Sequence, residues 1–209
     1  MQKIITIDGP SGAGKTTVAR LVAERLGLQY IPSGKLYRPV AYQMLRTHIS
    51  PSEGPKLATM LKSLQITLDK NGHVWLDGQN VTARLETSDV GSQSSILAQN
   101  AQIRQYLTRL QHDLAAGSGC VIEGRSTAIE IFPYADLKIW LTAEETVRIQ
   151  RKSQAEGGQA GGAVTARDEI DKTRQLAPMQ KAEDAVVIDT TELTIRQVVE
   201  RICSMALSL

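Results

Sequence analysis

Hydrophobic positions recur along this chain in two alternating rhythms. Ile4 to Ile7 form a short β-branched run that stops at Asp8-Gly9-Pro10, which predicts a buried strand. Downstream of Lys15, Val18, Leu21, Val22 and Leu26 fall at helical spacing, and Gly27 supplies a stop. Leu36, Val40, Met44 and Leu45 mark a second helix over 36–46, and Ile103, Leu107, Leu110 and Leu114 carry another as far as Gly117-Ser118-Gly119. Cys120-Val121-Ile122, residues 137–141 and residues 185–189 read as further buried strands. Ile195, Val198, Val199, Ile202 and Ala206 predict a closing amphipathic helix. Strands alternating with helices imply a parallel, doubly wound α/β sheet.

Residues 51–90 break that rhythm. Pro51, Gly54 and Pro55 mark a loop, and Leu57, Leu61 and Leu64 a short helix. Residues 65–69 and 73–76 then flank Lys70-Asn71-Gly72, a hairpin signal. The expected organisation is a core of 1–50 and 91–209 with a small antiparallel insertion at 51–90. Trp75 and Trp140 fall within strand patterns and are expected to pack in cores. The glycine-rich stretch at 156–162 suits a mobile loop.

The chain has 209 residues with 24 Lys and Arg against 22 Asp and Glu, a formal net charge of +2. That balance argues against a broad nucleic-acid surface, which needs a surplus of basic residues. No apolar run approaches the roughly 18 residues of a membrane span. The opening segment is broken too soon by Gly9-Pro10 to act as a secretion signal. Cys120 and Cys203 lie in apolar contexts and read as reduced core residues, with a single buried disulfide as the alternative, so a cytoplasmic protein is expected. His48, His73 and His112 have no ligand spacing and read as surface residues.

Against this background one motif carries chemistry. Gly9-Pro10-Ser11-Gly12-Ala13-Gly14-Lys15-Thr16 has the spacing G-x-x-x-x-G-K-[ST], between a predicted strand and a predicted helix. Its glycines let successive backbone N–H groups face one anion, and the helix N-terminus adds a positive dipole end. Lys15 would meet the β- and γ-phosphates of a nucleoside triphosphate, and the Thr16 hydroxyl would ligate Mg²⁺. The plainer reading is a glycine-rich turn, but the strand before and the helix after supply the context the motif demands. Glu123 ends a predicted strand, where a carboxylate could hold the metal or its water; otherwise it is a solvated strand-end acid. In the run 167–174, Arg167, Asp171 and Arg174 share one helical face. That face is either a salt-bridged surface or part of a lid, over about 150–178, that brings arginines to a transferring phosphoryl group.

These segments resemble the bacterial cytidylate (CMP/dCMP) kinases, a family of P-loop nucleoside monophosphate kinases. The resemblance rests on Ile5 to Lys15, on Ser33-Gly34-Lys35-Leu36-Tyr37-Arg38, on the hairpin at 66–81, and on Gly124-Arg125 with Phe132-Pro133-Tyr134-Ala135. Arg167-Asp168, Asp171, Arg174 and Pro178, then Asp184-Ala185 and Ile188 to Thr191, continue it. It implies a P-loop NTPase-type sheet with a short lid, and transfer of the ATP γ-phosphoryl group to CMP or dCMP with Mg²⁺. It implies that Gly9, Pro10, Ser11, Gly12, Ala13, Gly14, Lys15, Thr16 and Thr17 bind ATP. By the same resemblance, Ser33, Tyr37, Arg38, Ser95, Arg104, Arg125, Ser126, Asp171 and Arg174 would surround the acceptor. Lys15, Arg125, Arg167 and Arg174 would be catalytic, and Thr16 and Glu123 would serve the metal. The expected partners are small nucleotides, and the expected state is a monomer without nucleic acid or membrane.

The sequence departs from the family at five places. Thr16 stands in place of a glycine, Pro32 and Glu123 in place of aspartates, and the lid is short and rich in glycine. Ser126-Thr127-Ala128-Ile129 replaces D-[IM]-G-T. A carboxylate beside the base only accepts hydrogen bonds, so it favours the cytosine N4 amine and repels uracil O4. Serine can donate or accept, which predicts looser base selection. The alternatives are the same fold acting on another monophosphate such as UMP or on a small metabolite, and a switch that binds NTP and transfers nothing.

Overall fold

The β-branched run near the start becomes the middle strand of a parallel sheet. A computed structural model describes residues 3–69, 72–155 and 161–209. In chain order the elements are β1 (Ile4–Asp8), α1 (Lys15–Leu26), β2 (Gln29–Pro32), α2 (Tyr37–Thr47), α3 (Gly54–Ser63), β3 (Ile66–Leu68), β4 (Val74–Leu76) and β5 (Gln79–Asn80). There follow α4 (Ser88–Leu97), α5 (Ala101–Ala115), β6 (Cys120–Gly124), α6 (Thr127–Glu130), β7 (Leu137–Thr142), α7 (Glu145–Ala155), α8 (Gly161–Thr173), β8 (Val186–Asp189) and α9 (Ile195–Leu207). Short 3-10 turns occupy Ser33–Leu36 and Thr82–Glu86.

The large sheet has the order β2-β6-β1-β7-β8. β1 pairs in parallel with β6, setting Ile5 beside Val121 and Asp8 beside Gly124, and with β7, setting Ile7 beside Ile139. β7 pairs in parallel with β8. Helices on the sheet leave β1 almost wholly buried, which is why it reads as an unbroken apolar run rather than an alternating one. Val18 and Val22 of α1 join Ile5, Ile7, Ile139, Leu141, Ile188, Val198 and Ile202 in one core, where each fully buried side chain contributes about 1.5–3 kcal/mol. Gly27 ends α1 as the sequence predicts, and Thr194 with Gln197 closes a capping box on α9. The register brings the ends of β1 and β6 together, so the segments that follow Asp8 and Gly124 leave the sheet at one edge.

The chain divides into two compact units, one of residues 1–30 and 118–209 and the other of residues 31–117. The expected insertion at 51–90 therefore lies inside a longer unit. In it α2 packs with α4, and α5 packs with α3 and β3. Tyr106 Oη donates to the Leu64 carbonyl at 2.9 Å, and Asn100 Nδ2 donates to the Pro51 carbonyl at 3.2 Å. β3, β4 and β5 form an antiparallel sheet, with Ile66 opposite Leu76 and Thr67 opposite Trp75. Lys70 and Asn71 of the expected turn lie outside the described residues. The Asp69 amide donates to the His73 carbonyl at 3.1 Å.

Trp75 corrects the expectation of a core residue: it is 37% exposed, on the solvent face of a strand whose neighbours Val74 and Leu76 point inward. Trp140 is half-buried. Of the glycine-rich stretch, residues 156–160 lie outside the described residues, and Gly161 and Gly162 open α8. Cys120 and Cys203 are buried and unpaired, and burial pushes the Cys120 thiol up to about 12. Among the described residues no helix is long and apolar enough to cross a membrane.

Candidate active site

Between β1 and α1 the backbone curls around the Lys15 side chain. Gly9 and Gly12 adopt positive φ angles of 148° and 77°. A Cβ at Gly9 would collide with the Leu141 carbonyl, and one at Gly12 with the backbone of Arg148. Lys15 is only 5% exposed, and its Nζ donates to the Pro10 carbonyl at 2.7 Å. Burial lowers its pKa to about 7, with help from the nearby Arg125 charge, while Glu123, Asp8 and Asp168 oppose the shift. An ammonium held this way gains most from an incoming anion.

Thr16 and Thr17 lie exposed in the first turn of α1. Thr16 Oγ1 donates to Glu123 Oε1 at 3.3 Å, so the two residues expected to serve a metal are neighbours. A hydroxyl and a carboxylate are hard oxygen donors suited to Mg²⁺. Among the described residues no group of three His, Cys, Asp or Glu could cage a metal.

The structure draws Arg125, Arg167 and Arg174 around one buried carboxylate. Asp171 Oδ2 accepts from Arg125 Nε at 2.7 Å and lies 3.6 Å from Arg167 Nε. Its Oδ1 accepts from Arg174 Nη1 at 3.3 Å, and Arg174 Nε donates to the Ala177 carbonyl at 2.5 Å. Both oxygens of Asp171 are thus engaged by guanidinium groups. Arg167 and Asp171 share a face of α8 as expected, with Asp171 buried and Arg167 more than half exposed, whereas Arg174 follows the last helical residue, Thr173.

Three residues of this unit were given no site role by the sequence reading. Asp8, at the end of β1, accepts from the Thr127 amide at 2.9 Å, the Ala128 amide at 2.9 Å and the Thr127 hydroxyl at 3.0 Å. It fixes the start of α6 and with it Ser126, which is buried. Burial raises the Asp8 carboxyl above its ordinary range, against the pull of those hydrogen bonds and of Lys15. Asp168 Oδ1 accepts from the Ser11 amide at 2.8 Å, and Asp168 Oδ2 pairs with Arg148. Arg148 Nη1 also donates to the Ser11 carbonyl at 2.9 Å. A signal for Asp168 existed: Val164, Asp168 and Asp171 recur at core spacing along α8, and all three are buried.

In the other unit, Ser33 is buried at the head of its 3-10 turn, and Tyr37 opens α2. Arg38 Nη1 donates to the Leu85 carbonyl at 2.5 Å and to Glu86 Oε2 at 3.1 Å. Glu86, also missed, pairs with Lys35 at 3.4 Å as well. Ser95 is exposed and donates to the Gly91 carbonyl at 3.3 Å, and a Cβ at Gly91 would sit 3.8 Å from Arg38 Nη2. Arg104 Nη1 donates to the Ala98 carbonyl at 3.0 Å.

A parallel sheet whose first strand turns through glycines around a buried lysine, with a threonine hydroxyl and a carboxylate alongside, defines a P-loop protein of the α/β kinase fold. Shikimate kinase from Acinetobacter baumannii shares that fold, with a TM-score of 0.50 over 99% of this chain and 93% of that one at 18% identity. A cytidylate kinase from Halalkalibacterium halodurans is 37% identical over 209 residues, covering 95% of this chain and 94% of that protein. One from Thermosipho melanesiensis is 37% identical over 206 residues, with coverage of 95% and 94%. The family model for cytidylate kinase matches residues 5–208, and the chain belongs to that family.

Proposed function

We propose that this protein transfers the γ-phosphoryl group of ATP to the phosphate of CMP or dCMP, releasing ADP and the nucleoside diphosphate. The observation that carries the reading is a complete P-loop around Lys15 in a chain that matches cytidylate kinases almost end to end. Donor phosphates fall to the backbone amides of residues 12–17 and to Lys15, the Ser11 amide being committed to Asp168. Thr16 and Glu123 would hold Mg²⁺, which would supply positive charge to the phosphate oxygens. Within the unit of residues 1–30 and 118–209, acceptor roles go to Arg125, Ser126, Asp171 and Arg174.

An acceptor phosphate oxygen forms the new bond to Pγ as the bond from Pγ to the bridging oxygen of ADP breaks. The attacking oxygen is already anionic, so no side chain has to remove a proton. The obstacle is repulsion, about 4 kcal/mol for two unit charges 4 Å apart in a partly shielded site, and several such pairs add. Arg125, Arg167, Arg174 and Lys15 offset it. Release of those arginines from Asp171 toward phosphate would couple substrate arrival to their use. We place the protein in the cytoplasm as a monomer acting on small nucleotides.

Ser126 favours a wider acceptor range, with UMP used beside CMP, rather than a different reaction. A coupled assay of ADP release with ATP and CMP, dCMP, UMP, AMP and GMP tests both points. Turnover with CMP or dCMP is expected to lead. ATP consumption that stays flat across the whole panel would sink the assignment.

A further inference from the structure

Two charged side chains that the phosphate chemistry does not use meet at the shoulder of the P-loop. Arg148 comes from α7 and Asp168 from α8, and both are buried. They grip a single residue from two sides. The Ser11 amide donates to Asp168 Oδ1 at 2.8 Å, and the Ser11 carbonyl accepts from Arg148 Nη1 at 2.9 Å. The two side chains also pair with each other, and Arg148 Nε donates to the Ala143 carbonyl at 3.2 Å at the start of α7. At the next residue, Gly12, the loop backbone lies against the backbone of Arg148 so closely that no Cβ fits. The loop is therefore fastened through the amide and carbonyl of Ser11 and the bare Cα of Gly12.

A buried ion pair is costly to assemble and is not in itself a sign of stability. This one satisfies backbone groups of a loop that has to present its later amides to phosphate in fixed directions. Asp168 also follows Arg167 in the chain and lies one helical turn from Asp171, so the fastening fixes α8 relative to the P-loop. Lys15 and Arg167 are thereby held in one frame.

We infer that Arg148 and Asp168 are a positioning pair for the donor nucleotide: they hold the Ser11–Gly12 backbone so that residues 12–15 meet the ATP phosphates. Neither residue touches the reacting atoms. The inference rests on the proposed reaction for its choice of ATP as ligand.

Asp168→Asn and Arg148→Lys, alone and combined in the full chain, separate positioning from general support of the fold. MgATP and CMP affinities are measured by calorimetry, with amide exchange at Ser11 followed in parallel. Each single change is expected to weaken MgATP binding about tenfold and leave CMP within about twofold. The double variant should lose little more than either single one, because the pair acts as a unit. Exchange at Ser11 should quicken while the amides of β1 keep their protection. Unchanged MgATP affinity overturns the inference. So do equal losses for both nucleotides, or losses that multiply in the double variant. Should Asp168→Asn fail to fold, Arg148→Lys is judged by the same ATP and CMP criteria. A wild-type protein that binds no ATP sinks the proposed reaction instead, and exchange at Ser11 then decides whether the pair holds the loop.

Discussion

Thr16 Oγ1 and Glu123 Oε1 lie 3.3 Å apart, one in the first turn of α1 and the other on β6. Without a metal, the hydroxyl donates to the carboxylate. Were Mg²⁺ held here as proposed, the hydroxyl and the carboxylate would both offer it lone pairs, and the hydroxyl proton would have to leave this contact. Glu123→Gln should lower turnover about 10–100-fold at moderate Mg²⁺ and shift the Mg²⁺ dependence to higher concentration. Glu123→Asp should retain most activity, since it keeps the charge one methylene shorter. A Mg²⁺ titration of the initial rate reads both, and an unshifted titration for the glutamine variant would remove Glu123 from the metal's surroundings.

Lys15 sets a second expectation, through protons. Its pKa is lowered to about 7 in the free protein, chiefly by burial, and a bound triphosphate favours the charged form and raises it. Binding ATP at pH 8 should therefore take up close to one proton, against about half a proton at pH 7. ATP affinity should fall as pH rises above 7. Calorimetry at pH 8 in buffers of different ionisation enthalpy measures the uptake directly. Lys15→Arg keeps its charge throughout this range and should abolish it. Identical heats in every buffer for the wild type would contradict the shifted lysine.

Asp8 accepts hydrogen bonds from the amides of Thr127 and Ala128 through different oxygens. Asparagine at position 8 offers one acceptor where two are needed, leaving a buried N–H facing an NH₂ group. Asp8→Asn should cost about 1–3 kcal/mol in urea unfolding. Because α6 starts beside Ser126, it should also disturb acceptor binding more than ATP binding. Stability within 0.5 kcal/mol of wild type, on the order expected of a neutral surface change, would mean the helix start is held by other contacts.

Ser126 is the natural place to alter base choice. Ser126→Asp introduces an acceptor-only group, which should raise the ratio of kcat/KM for CMP over UMP by about tenfold or more. Steady-state kinetics with the two nucleotides read the change. A ratio that does not move would place base selection elsewhere.

Much of the frame can be read directly from residue pattern, because apolar spacing reports which surfaces must be covered. Val18 and Val22 on α1, the unbroken run of β1 and the pairing of Ile66 with Leu76 all follow from that requirement. The P-loop is legible for a related reason: its chemistry depends on backbone shape, which local glycine spacing specifies. Trp75 misleads because its size suggests burial while its place between two inward residues demands the opposite face. Arg148 and Asp168 are twenty positions apart and meet only after α7 and α8 pack. In a chain rich in charges, the pairing of any two across such a gap leaves no periodic trace. The extent of the second unit escaped for the same reason, since α2 joins α4 by tertiary contact across about forty residues.

The strand order β2-β6-β1-β7-β8 has a consequence for the nascent chain. The first two strands to leave the ribosome are not neighbours, and every partner they have is synthesised after residue 117. Until Cys120–Gly124 emerges, β1 and β2 carry unpaired edges and the glycine loop has no sheet to hang from. Residues 31–117 meanwhile hold their own hairpin and helix contacts and can settle first. The late strand β6, which also bears Glu123, is the keystone whose arrival lets the nucleotide-binding half close.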